Sequence, residues 1–269
     1  MMIELFFHGA VLGVIQGLTE FFPVSSSGHL ILMPALFRWR DQGIIFDVVV
    51  HGGTLVAVIA AFWGDLRRIV TNACIKRQKA AQRFAVRILV AAVPGLLVGG
   101  LFGEVIEQSL RGPATVAISL AVWGIVLWIA DRWSATHTRT LTTPQEITWA
   151  QALIVGGMQA IALVPGTSRS GITMTGGLFA GMDRKTAVNV SFLISIPTIA
   201  AAFAYGLIRM GRQGLAPGEA GMLFAGFAAA ALTGFGAIRA LQWLVERHTF
   251  APFVWYRLAL AALIALSVL

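Results

Sequence analysis

Charge is scarce in this chain. Asp, Glu, Lys and Arg make up 12% of its 269 residues, against roughly 25% in an average soluble domain. Cysteine is almost missing: the lone Cys74 excludes an internal disulfide and, set in a basic loop, carries no reactive pattern. A basic leader is lacking too. The opening MMIELFFHGAVLGVIQG has Glu4 and His8 where a cleaved signal peptide would carry Lys or Arg, so this segment is expected to stay in the protein. Acids are outnumbered, 12 against 20 Lys and Arg, for a net charge of +8. In an apolar chain such an excess belongs to cytoplasmic loops, and nucleic acid is not expected as a partner.

What is present is apolar. Hydrophobic residues make up 57% of the chain, with 29 glycines, a composition suited to closely packed transmembrane helices. Six stretches reach the length of a bilayer crossing, at roughly 44–63, 84–103, 113–131, 186–208, 217–240 and 250–268. Two others are interrupted. Residues 3–37 break at Pro23 and Ser25-Ser26-Ser27-Gly28, and residues 147–182 break at Pro165-Gly166-Thr167-Ser168-Arg169-Ser170-Gly171. Irregular backbone at membrane depth survives only inside protein or beside a wet cavity. Both stretches are therefore expected to be re-entrant helix–loop–helix hairpins.

The two hairpins are copies of one pattern. A shift of 143 residues lays Gly13 on Gly156, Gln16 on Gln159, Ser25 on Ser168, Ser27 on Ser170 and Gly28 on Gly171, while Pro23 and Pro165 miss by one. Each is followed by three spans, so the expectation is one all-α integral membrane domain over 1–269. It would hold a repeat at about 1–131 and a second at about 147–269. An odd number of spans per copy inverts the second against the first. The segment 64–83 carries Arg67, Arg68, Lys76, Arg77, Lys79 and Arg83 against Asp65 and should be cytoplasmic. With Arg132, Arg139, Arg184, Lys185, Arg239 and Arg247, twelve basic residues fall inside. Only Arg38, Arg40, Arg111, Arg209 and Arg212 fall outside, which places both termini outside.

The densest polar group in the chain is QGLTEFFPVSSSGHL, residues 16–30. Gln16 and Glu20 lie four apart, hence on one helix face. Proline then ends the helix, and serines follow where the next helix starts, a preferred capping position and an anion site through its free N–H groups. His29 lies in that helix's first turn. Thr167 and Ser168 hold the same place in the second hairpin, with Arg169 beside them. Two such tips meeting at mid-membrane would cradle a phosphate. Glu20 and His29 would supply a base, acid, nucleophile or cation ligand. Ionisable groups at membrane depth are costly and so point to function. Asp47, His51 and Asn189 are read as packing groups, and tryptophans 63, 123, 128, 133 and 255 as mostly an interfacial belt.

QGLTE fits an [E/Q]xxxE pattern, PVSSSGH follows it, and PGTSRSG and FDVVVHGGTL complete the set. Together they resemble the undecaprenyl-pyrophosphate phosphatase family, also called bacitracin-resistance proteins, over essentially the whole chain. The resemblance implies removal of the terminal phosphate from undecaprenyl pyrophosphate, and a multi-pass place in the bacterial cytoplasmic membrane with a site open to the periplasm. It also implies a divalent cation, Mg2+ or Ca2+. Carried over by motif, Glu20 engages the cation or activates the attacking group, with Gln16 beside it where many relatives have Glu. His29 and Ser26 are candidates for base and nucleophile, with phosphoenzyme and direct water attack both open. Arg169 binds the pyrophosphate with Ser25, Ser27, Thr167, Ser168 and Ser170. Membrane lipid and a second copy in a homodimer are the other expected partners. The rival is a transporter or flippase for a phosphate-bearing cargo, since inverted repeats with broken helices also serve transport.

Overall fold

The computed structural model describes residues 2–37, 39, 42–110, 112–137, 143–213 and 219–268, and every regular element among them is helical. Arg38, Arg40, Arg111 and Arg139, and the side chains of Arg209 and Arg212, all used in the charge count, lie outside what is described.

Helix α1 (Met2–Phe21) is followed by α2 (Ser26–Phe37). The chain breaks between them because Pro23 disfavours helical geometry in the residue before it. With 20 residues, α1 is about 30 Å long, more than the half-span expected of a hairpin arm. Helix α3 (Gly43–Ala61) bends by 72° at Phe62 into α4 (Trp63–Val70) and a π turn at Thr71–Ile75. Helices α5 (Lys79–Leu110) and α6 (Pro113–His137) complete the first half. The second half starts at α7 (Trp149–Ile161), whose Thr148 and Gln151 cap each other's backbone in a capping box. Then come α8 (Arg169–Phe179), α9 (Arg184–Gln213), α10 (Glu219–Val245) and α11 (Ala251–Val268).

Four helices, α5, α6, α9 and α10, are long and apolar enough to cross a membrane, and the bent α3–α4 pair makes a fifth. The molecule is apolar outside as well as inside. Leu101, Phe224, Leu232 and Leu266 are each at least 70% exposed, a surface that suits lipid and not water. These helices fit a multi-pass membrane protein.

Packing between halves is reciprocal. Helix α1 lies along α10, α7 lies along α5, and α6 and α11 lie along each other. Small residues permit the first two approaches: a Cβ on Gly13 would stand 2.3 Å from the Gly226 carbonyl, and one on Gly156 would stand 2.6 Å from the Ala91 carbonyl. Without a hydrophobic force between helices in lipid, such backbone proximity supplies much of the association through dispersion contacts. Gly13 and Gly156 are the pair the 143-residue shift aligns.

Candidate active site

The site forms where the breaks after α1 and α7 meet. Ser25 (φ 76°) and Ser168 (φ 74°) both hold left-handed backbone, a conformation that costs a non-glycine residue on the order of 1–2 kcal/mol. The strain recurs at the same place in each copy, and it turns each serine to cap its helix. Ser168 Oγ accepts from Gly171 N (3.1 Å) and Ser25 Oγ from Gly28 N (3.4 Å). The hydroxyl pairs match too, Ser25–Ser27 at 3.3 Å and Ser168–Ser170 at 3.2 Å. Ser170 also donates to the Phe22 carbonyl at 3.1 Å, tying tip to tip.

Glu20 is the centre of this junction and is buried. Its Oε1 accepts from Arg169 Nη2 at 2.7 Å. Its Oε2 accepts from the Ser26 hydroxyl at 2.6 Å and the Gln16 amide at 3.1 Å. Ser26 and Arg169 are equivalent under the 143-residue shift, so one repeat position has become a serine in the first copy and an arginine in the second, and both now hold one carboxylate. A buried carboxylate is stable only when so paired.

Three buried polar atoms around it have no partner among the described residues: Arg169 Nη1, Thr167 Oγ1 and Gln16 Oε1. Orphaned donors and acceptors cost about 1–3 kcal/mol each, and here they are a guanidinium N–H, a hydroxyl and an amide oxygen gathered at one junction. An anion with several oxygens satisfies the first two, and a cation satisfies the third.

His29 is placed differently. Its Nδ1 lies 2.7 Å from the Ser25 carbonyl, which can only accept, so that nitrogen carries the proton. Its Nε2 then accepts from the Tyr256 hydroxyl at 2.6 Å. Both nitrogens are thus taken up away from Glu20. The structure gathers Gln16, Glu20, Ser26 and Arg169, sets Ser25, Ser27, Thr167, Ser168 and Ser170 as the cradle, and puts His29 to one side. Three other histidines lie against tryptophans: His8 on Trp39, His137 on Trp133, His248 near Trp243.

Two contributors escape the sequence reading. Arg257 of α11 is fully buried and donates to five backbone carbonyls: Pro23 in the first tip, Gly166 and Thr167 in the second, and Ser119 and Leu120 of α6. It clamps both tips to one another. Its signal was its position as the single charged residue of the 250–268 stretch. His51 of α3, read as a packing group, stands with Nε2 3.6 Å from Glu20 Oε2.

The sequence profile of the family described as bacitracin resistance protein BacA matches residues 9–263. The chain belongs to the BacA family. Among similar proteins, an undecaprenyl-diphosphatase of Moorella thermoacetica is 42% identical over 255 residues, 94% of each chain. Proteins of the same name from Geobacter metallireducens and Geotalea daltonii are 41% and 37% identical, over 95% and 96% of each chain. Family membership thus covers α1 to α11, and both tips lie inside the matched region.

Proposed function

We propose that this BacA-family chain is an undecaprenyl-diphosphatase, hydrolysing undecaprenyl pyrophosphate to undecaprenyl phosphate and inorganic phosphate. The observation that carries the reading is the Ser26 hydroxyl aimed at Glu20 Oε2 from 2.6 Å, with Arg169 holding the other oxygen at 2.7 Å. A hydroxyl hydrogen-bonded to a carboxylate is an activated nucleophile. Ser26 Oγ attacks the terminal phosphorus while its proton passes to Glu20. The bond from that phosphorus to the bridging oxygen breaks, and undecaprenyl phosphate leaves. Water then hydrolyses the phosphoserine and frees phosphate. Arg169 Nη1, Thr167 and the capping serines with their helix N-termini receive the phosphate oxygens and stabilise charge as it shifts toward the bridge.

A divalent cation, Mg2+ or Ca2+, fits beside this arrangement. Glu20 Oε2 and the partnerless Gln16 Oε1 are hard oxygen donors, and such ions bind through one or two protein oxygens with substrate phosphates completing the shell. When bound, the cation would offset the charge of the pyrophosphate.

The topology we propose is six spans with two re-entrant hairpins in an inverted repeat, both termini periplasmic and the site open to that side of the inner membrane. Supporting it are the twin left-handed serines and the reciprocal packing of α1 on α10 and α7 on α5. The polyprenyl tail would lie in lipid between helices, and a second copy of the chain remains a proposed partner.

Purified protein in detergent micelles should release phosphate from undecaprenyl pyrophosphate, and Glu20→Gln should abolish release. A transporter registers nothing without compartments, so no release from folded wild-type protein would overturn the phosphatase reading.

A further inference from the structure

We infer that His51 is a nitrogen ligand of the divalent cation, completing with Glu20 Oε2 and Gln16 Oε1 a mixed nitrogen–oxygen site. The inference rests on the phosphatase reading for its purpose, not for its geometry.

The tautomer comes first. His51 Nδ1 lies 2.6 Å from the Asp47 carbonyl. A carbonyl only accepts, so Nδ1 bears a proton and Nε2 is the nitrogen left to face Glu20. That nitrogen stands 3.6 Å from Glu20 Oε2. An imidazole nitrogen and a carboxylate oxygen stay this close when something positive lies between them, either a proton or a metal ion. Donor atoms held about 2.1 Å from one metal ion lie about 3–3.5 Å apart at ordinary coordination angles, so the observed gap is close to that of two ligands of one ion. A ring N–H donated to a backbone carbonyl is also the usual means by which a metal-bound histidine is oriented.

Gln16 supplies the independent observation. It is fully buried, its nitrogen turned to Glu20 and its oxygen left without a partner. A half-turn of the amide about its terminal bond exchanges the two atoms. That would set oxygen against oxygen, which is favourable only with a cation between them. Access is provided as well, since the His51 side chain is 32% exposed while that of Glu20 is 5% exposed. On the opposite flank Arg169 occupies only Oε1, so Oε2 is the oxygen turned to Ser26, Gln16 and His51. One imidazole with two oxygens is a donor set that Mn2+ also accepts, so Mn2+ can serve as its probe.

His29 is excluded from the role because both its nitrogens are engaged. The two histidines thus divide: His29 pins the first tip to α11, and His51 faces the reacting groups.

The experiment uses Mn2+ with the purified full chain in detergent, read by electron paramagnetic resonance. Wild type should bind one Mn2+ with a resolved 14N coupling that changes its pattern in protein grown on 15N-histidine. His51→Gln, checked for folding by gel filtration and thermal melting, should lose the coupling and bind Mn2+ at least about tenfold more weakly. His29→Gln should keep both. Should His51→Gln fail to fold, the isotope pattern of wild type together with that of His29→Gln still decides. Mn2+ bound without nitrogen coupling, coupling that survives in folded His51→Gln, or no binding at all would overturn the inference. Phosphate release is measured on the same preparations. Release without Mn2+–nitrogen coupling removes His51 from the cation and leaves the phosphatase standing, whereas coupling without release does the reverse.

Discussion

At the scale of single residues, the site turns on how few groups meet at one carboxylate. Arg169 serves Glu20 with one nitrogen and keeps the other free, a division that needs a planar fork. Arg169→Lys keeps the charge but offers one point of contact. Phosphate release should fall by about 10²–10³-fold, the usual cost of losing one donor to developing charge, with thermal stability little changed. Steady-state release in micelles measures it. Glu20, Ser26 and Arg169 were legible in sequence because ionisable and hydroxyl groups stand out against an apolar chain. His51 was visible but undervalued, because its meeting with Glu20 depends on α3 lying against α1 and leaves no trace in spacing. Arg257 was invisible as a functional group for a plainer reason. All five of its partners are backbone carbonyls, which every residue has and no motif records.

At the scale of elements, Arg257 joins α11, α6 and both tips. Arg257→Met would remove a buried donor from five carbonyls and strand the three in the tips, which lie outside helices, at about 1–3 kcal/mol each, comparable to the whole margin of many folded proteins. The variant should not yield a monodisperse protein by gel filtration, and Arg257→Lys, with three donors, should recover it in part. A second junction lies where α6, α9 and the loop before α11 meet. Buried Asp131 accepts from Arg184 and from the Phe250 N–H, so Asp131→Asn should cost about 2 kcal/mol, below the 3–5 of a fully buried pair because Arg184 is partly exposed. Nearby, Lys185 pairs with Glu246 at 2.6 Å on the surface. The hydrogen bond from Lys185, then its charge, holds the Glu246 carboxyl below its ordinary range. A depressed carboxylate stabilises the fold above its ordinary range, and that help is lost as pH falls through its lowered folded value. Glu246→Gln should therefore melt slightly below wild type at neutral pH and together with it in acid, a small effect because water screens the pair. Melting curves of both variants across pH separate the two junctions. The positions of α5, α6, α9 and α10 were readable because hydropathy sets them, while the stretch expected at 250–268 forms the shorter apolar helix α11. The 72° bend at Phe62 and the full length of α1 were not, since both are fixed by packing between helices distant in sequence.

At the scale of the whole molecule, orientation is the open quantity, and the chain carries its own probe. Cys74 is the lone cysteine and is exposed, in the basic segment expected in the cytoplasm. A membrane-impermeant maleimide should leave Cys74 unlabelled in intact spheroplasts and label it in inverted vesicles; labelling in spheroplasts would reverse the proposed topology. The most telling global feature is the shared repeat position of Ser26 and Arg169, both resting on Glu20. Two identical half-length subunits around a twofold axis would place serine opposite serine, or arginine opposite arginine. Neither arrangement sets a hydroxyl against a guanidinium. A pair of identical half-chains could therefore build the cradle but could not seat one serine and one arginine on a single carboxylate; that needs two unlike tips. The meeting of Ser26 and Arg169 on Glu20 is thus a property of broken symmetry.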